Sequence, residues 1–104
     1  MEEGNEMTNE KKKIAELKEG DNVIVEGDVL EVFDVKEIVK KDGHRITLQV
    51  VLIDDKSAGI MLKLWDKQVN TLKEKDKVRV EGYVSSFKDV LGISTGKFGK
   101  IEVL

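Results

Sequence analysis

Apolar and polar residues alternate along several stretches of this chain, and the alternation decides which side chains share a face. Successive side chains on a strand point to opposite sides. Over Gly59 to Trp65 this puts Ile60, Leu62 and Leu64 on one face and Met61, Lys63 and Trp65 on the other. Over Asp76 to Phe87, Val78, Val80, Gly82 and Val84 point inward, while Arg79, Glu81, Tyr83, Ser85 and Phe87 point outward. Arg45 to Ile53 predicts another strand, with Ile46, Leu48, Val50 and Leu52 on a common face. Val23 to Val35 reads as one long strand whose apolar phase slips between Gly27 and Leu30. A bulge or sharp coil there lets one strand serve two sheets. Leu91 to Thr95 predicts a fifth strand, followed by a turn around Gly96 to Gly99 and a last apolar stretch, Ile101 to Leu104.

Between these strands the pattern is weaker. Residues 1–10 are acidic and unpatterned, which predicts a frayed or disordered terminus. Residues 11–19 predict a turn or two of helix, with Ile14 and Leu17 inward and Gly20 ending it. Lys36 to His44 reads as a charged loop turning at Asp42-Gly43, and Asp54 to Ala58 as a second turn. Asp66 is placed to cap a short helix running to Leu72, with Val69 and Leu72 as its apolar stripe. Leu17 to Val29 matches Leu72 to Val84 at nine of thirteen positions. The chain is too short for two tandem domains, so the repeat implies a recurring helix end, tight turn and strand entry. It also makes Asp28 and Tyr83 equivalent outward positions, which predicts an exposed phenol ring.

Composition narrows the function. A length of 104 residues supports one domain with one core, here residues 11–104. Apolar residues make up 39% and charged residues 38%, a folding composition. With no cysteine, disulfide staples, zinc ribbons and thiol chemistry are excluded. No apolar run approaches a membrane span and no signal-peptide pattern opens the chain, so a soluble, intracellular protein is expected. The net charge of -3 includes four uncompensated glutamates in the first ten residues, leaving 18 bases against 17 acids in the rest. A protein that grips duplex DNA electrostatically is therefore not expected.

The candidate site follows from strand phase. Trp65, Tyr83 and Phe87 lie on faces otherwise marked by charge, and three such rings on neighbouring strands form a platform. Each nucleobase has a π-face, so a platform of this kind suits sequence-tolerant stacking of single strands, whose faces a duplex hides. Lys63 and Arg79 on the same faces and Lys88 at the edge are the first candidates for phosphate contacts. Lys40, Lys41, Arg45, Lys67 and Lys97 come second. The competing readings are a protein-interaction module anchored by the same rings and binding of single-stranded RNA. An enzyme is not expected. His44 is the only histidine, Asp54 and Asp55 read as turn residues, and no metal ligand set, cofactor motif or nucleophile–base pair occurs at recognisable spacing.

Three segments carry a family resemblance: Leu62-Lys-Leu-Trp-Asp66, Val78-Arg-Val-Glu-Gly-Tyr-Val-Ser-Ser-Phe-Lys88 and Thr95-Gly-Lys-Phe-Gly-Lys-Ile-Glu-Val103. From about Ile14 to Leu104 the chain resembles archaeal single-stranded-DNA-binding proteins and replication protein A domains. The resemblance implies an all-β OB fold, a five-stranded Greek-key barrel with a short helix between strands three and four. It implies that Trp65, Tyr83 and Phe87 are base-stacking positions. It further implies non-sequence-specific protection of single-stranded DNA in replication, recombination and repair, in the cytoplasm with the nucleoid. Replication or repair proteins, or further domains or subunits, are the implied partners, with no membrane and no cofactor. Three departures stand out. Ser94 replaces an aromatic that some relatives carry on the fifth strand. The turn glycine of Asp55-Lys-Ser-Ala-Gly59 comes one position late, and Asp89 replaces a common glycine.

Overall fold

The long strand with the slipped phase organises the whole molecule. The computed structural model describes residues 10–95 and 99–104. Lys97 and the N-terminal stretch before Glu10 lie outside the described residues. Among the described residues eight strands run in chain order: β1 (Glu10–Lys11), β2 (Asn22–Val32), β3 (Lys36–Val39), β4 (Arg45–Asp54), β5 (Gly59–Trp65), β6 (Lys77–Phe87), β7 (Val90–Ser94) and β8 (Lys100–Val103). The first part of β2 pairs antiparallel with β6, and its last part, from Asp28, pairs antiparallel with β4. The register shifts between Val29 and Glu31, so the expected bulge falls at Leu30. From β4 the ladder continues to β5, crosses to β7 by a parallel pairing, and returns through β6 to β2. Five strands thus close on themselves, and β1, β3 and β8 are added at their margins.

The inward faces of β5 and β6 are those the alternation predicts. Leu62, Leu64, Val78, Val80 and Val84 are buried, with Val23, Val25 and Ile93 beside them. The apolar face shared by Ile46, Leu48, Val50 and Leu52 is the half-buried outer one. In β4 the core face is instead Gln49, Val51 and Ile53. Gln49 is 3% exposed, yet its amide is satisfied: Nε2 donates to the Phe33 carbonyl at 2.9 Å, and Oε1 accepts the Asn70 N–H at 2.7 Å. That side chain ties the end of β2 to the β5–β6 connection.

Three of the expected loops and helices differ. Lys36–Val39 is a strand paired with Arg45–Leu48, because the backbone of β4 offers a partner that local charge does not reveal. The helix expected from Asp66 to Leu72 is only a 3-10 turn, Asp66–Gln68. Asp66 and Asn70 adopt left-handed backbone angles (φ 49° and 61°), which stop a helix from propagating. Asp66 does not cap the turn. Its Oδ1 accepts the Thr47 N–H across the sheet at 3.0 Å. Val69 still packs on the core and Leu72 is buried. Near the N-terminus the helix is likewise a 3-10 turn, Ile14–Glu16, with Ile14 and Leu17 inward as predicted. Asp55 holds it by accepting the Ile14 N–H at 2.8 Å. Burial pushes the Asp55 carboxyl upward. Hydrogen bonds from the Ser57 hydroxyl and from the amides of Ile14, Ser57 and Ala58 outweigh this and hold it below the usual carboxylate value.

The sequence repeat is an approximate two-fold axis. β2 and β6 pair so that Val25 faces Val80, its own counterpart in the repeat. The Gly20 N–H donates to the Val84 carbonyl at 2.8 Å, and the Lys75 N–H, in the equivalent place, donates to the Val29 carbonyl at 2.9 Å. The carboxylates of Asp21 and Asp76 each accept the N–H three residues earlier at 3.0 Å. Similar sequence recurs because similar contacts recur on the two sides of that axis.

Candidate nucleic-acid interface

Trp65 ends β5 on its outer face, opposite Leu48, where it is half-buried. Tyr83 lies on the outer face of β6 and is 42% exposed. Strand β7 runs between them, and Ser94 pairs with Lys63 on one side and with Tyr83 on the other. The strands bearing the two rings are therefore two sheet spacings apart, roughly 10 Å. Between the rings is a cleft of about 580 Å³, walled by Trp65 and Tyr83 and bordered by Asp66, Lys67, Gln68, Ser94 and Thr95. Gln68 braces it from below. Its Oε1 accepts the Trp65 N–H at 3.0 Å, and its Nε2 donates to the Thr95 hydroxyl at 2.8 Å.

Phe87 is on the same strand four residues beyond Tyr83, roughly 13 Å further along, and is 66% exposed. The two-residue turn Lys88-Asp89, with left-handed angles at both positions (φ 54° and 66°), reverses the chain there. The Lys88 ammonium sits 5.3 Å from the centre of the Phe87 ring, a cation–π contact. The structure thus brings Trp65 and Tyr83 to one cleft and leaves Phe87 as an outlying ring.

The basic residues separate into groups. Lys63 lies beside Ser94, Lys67 borders the cleft and Lys88 covers Phe87; among the described residues none of the three is in an ion pair. Arg79 points outward as the alternation predicts, but β2 and β8 flank it there. Its guanidinium is held by Glu26 at 2.7 Å and Glu102 at 3.6 Å, away from the cleft. Hydrogen bonds from Lys11 and then Arg79 keep the Glu26 carboxyl below its ordinary pKa. Arg45 pairs with Glu37 at 3.3 Å, and Lys40 and Lys41 are exposed at the turn of the β3–β4 hairpin. Lys97 lies outside the described residues.

Sequence reasoning missed a second feature of this face. Phe33, Leu48, Val50 and Met61 border an apolar hollow of about 390 Å³, with Asp34 and Lys36 at its margin. It adjoins the cleft, since Leu48 is the cross-strand partner of Trp65. The signal was present: from Ile46 to Ile53 β4 carries apolar residues on both faces, so one apolar face had to remain outside. Among the described residues no group of three metal-ligating side chains comes together. No helix among them is long and apolar enough to cross a membrane.

A five-stranded ring in which one bulged strand pairs with two neighbours, carrying aromatic side chains on its outer sheet, defines an OB-fold domain. No family model matches the sequence. The single-stranded DNA binding protein Ssb of Saccharolobus solfataricus is 31% identical over 93 residues, covering 86% of this chain and 61% of that protein. The chain therefore spans less than two-thirds of that relative's length. The second OB-fold domain of replication protein A from Methanococcus maripaludis superposes with a TM-score of 0.77 at 26% identity, covering 90% of this chain and 94% of that one. The OB domain of a Thermoplasma acidophilum protein superposes with a TM-score of 0.78, also at 26% identity, covering 92% and 88%. The chain has the OB fold and is similar to archaeal single-stranded-DNA-binding proteins and replication protein A domains.

Proposed function

We propose that this domain binds single-stranded DNA with little sequence preference, protecting exposed strands in replication, recombination and repair. The observation that carries the reading is the cleft lined by both Trp65 and Tyr83, from the two strands on either side of β7. A base entering it stacks on the indole and the phenol, and a strand continuing along β6 meets Phe87. In the other direction the apolar hollow of Phe33, Leu48, Val50 and Met61 extends the track. Lys63, Lys67 and Lys88 neutralise backbone phosphates along this path, whereas Arg79 stays with its two glutamates. The similarity to the Saccharolobus Ssb and to a replication protein A domain supports single-stranded DNA as the ligand.

Trp65 is the only tryptophan, so its fluorescence reports the site directly. Oligo-dT is expected to quench the emission at low salt, and a duplex of the same length to do so far less. Unchanged emission with oligo-dT would instead assign the rings to a protein interface.

A further inference from the structure

Ser94 forms part of the cleft floor, and its hydroxyl has no hydrogen-bond partner among the described residues although the residue is only 5% exposed. Buried hydroxyls in folded proteins are nearly always paired, and the neighbouring Thr95 hydroxyl accepts from Gln68. Strand alternation fixes the direction of the Ser94 side chain. Ile93 is fully buried in the core, so Ser94 points to the opposite, outer face, between Lys63 and Tyr83. Asp66 also borders the cleft, but its Oδ1 is directed at Thr47.

We infer that Ser94 is a specificity-determining residue: its hydroxyl donates a hydrogen bond to a carbonyl on the edge of the base held between Trp65 and Tyr83. The inference rests on the reading of the cleft as a base-binding site. A base inserted upright into the cleft between the two rings presents an edge to the Ser94 floor. A serine hydroxyl can donate or accept, but the adjacent Lys63 ammonium only donates. Its positive charge favours an acceptor on the ligand. Thymine, cytosine and guanine carry such a carbonyl, whereas adenine offers only ring nitrogens and an amino group there. The result is a modest preference for carbonyl-bearing bases, thymine among them, over adenine, superimposed on sequence-tolerant stacking.

The test titrates Trp65 fluorescence with oligo-dT and with an oligomer of equal length built from difluorotoluene nucleotides, which copy the shape of thymine but accept hydrogen bonds poorly. Three proteins are compared: the unsubstituted chain, Ser94→Ala and Ser94→Thr, each checked for an unchanged thermal unfolding transition. The ratio of the two affinities should fall by roughly three- to tenfold in Ser94→Ala, as expected for loss of one neutral hydrogen bond. Ser94→Thr, which keeps the hydroxyl, should retain it. Quenching by both oligomers with a ratio indifferent to residue 94 overturns the role of Ser94 alone. Quenching by neither in the unsubstituted chain removes the base-binding reading, and this inference with it.

Discussion

Gly82 and Gly27 occupy equivalent places on the two sides of the internal two-fold axis, yet alanine should be far more damaging at Gly82. A Cβ there would lie 2.3 Å from the Ser94 carbonyl oxygen, 2.9 Å from its carbonyl carbon and 3.3 Å from the Thr95 Cα. At Gly27 the nearest atom is the Asp54 carbonyl oxygen at 2.9 Å. Non-bonded contacts to carbon relax at roughly 3.5 Å, so β7 must retreat by more than 1 Å in one case and β4 by about half as much in the other. Both obstacles are backbone on strands anchored by a buried isoleucine, Ile93 or Ile53, so the size of the required retreat sets the difference. Retreat costs the Tyr83–Ser94 pairing, about 1 kcal/mol, and overpacking adds about 1–3 kcal/mol. Alanine recovers about 0.4–1 kcal/mol by restricting the unfolded chain. The net destabilisation is about 3 kcal/mol for Gly82→Ala and about 1 kcal/mol for Gly27→Ala. Urea unfolding followed by circular dichroism reads this directly, since 3 kcal/mol shifts the midpoint by roughly 2 M at an ordinary slope. Because Ser94 and Thr95 floor the cleft, folded Gly82→Ala should also bind oligo-dT more weakly, while Gly27→Ala binds normally. Equal midpoints for the two variants would refute the argument.

Other consequences can be measured on the same protein. Tyr83→Ala should weaken oligo-dT binding by roughly 5- to 100-fold, the worth of one stacked base, and Phe87→Ala by less, because among the described residues that ring lies outside the cleft. Fluorescence titration separates them, and equal losses would remove the distinction drawn between cleft and outlying ring. With Lys63, Lys67 and Lys88 as the phosphate contacts, the log–log salt slope should be about -2, or about a 20-fold loss from 50 to 200 mM salt. A slope near zero would argue against any backbone contact. Asp55 titrates below its unfolded value, so its stabilising effect is complete above about pH 4 and is lost as pH falls through the lower, folded value. Asp55→Ala should therefore cost about 2 kcal/mol at neutral pH and show a shallower acid-induced loss than the unsubstituted chain in pH-dependent denaturant melts.

Period-two alternation was enough to orient the rings. Whatever strands flank β5 and β6, Trp65 must oppose Leu64 and Tyr83 must oppose Val84, because neighbouring side chains on a strand leave from opposite sides. The slip after Gly27 and the repeat from Leu17 to Val29 were equally local, and both reappear as the bulge and the two-fold axis. Non-local partners decided the rest. Nothing in Lys36 to Val39 announces a strand until the backbone of β4 lies beside it. The turn after Trp65 stops at Gln68 because Asp66, Gln68 and Asn70 bond to Thr47, Thr95 and Gln49, residues far away in the chain. Arg79 is outward by phase but spoken for by Glu26 and Glu102, and the Ser94 hydroxyl, unpaired among the described residues, appears only once β5 and β6 close around β7. A strand's own sequence settles which way a side chain points, since that is covalent geometry. What the side chain meets there depends on strand order, which only the closed sheet supplies.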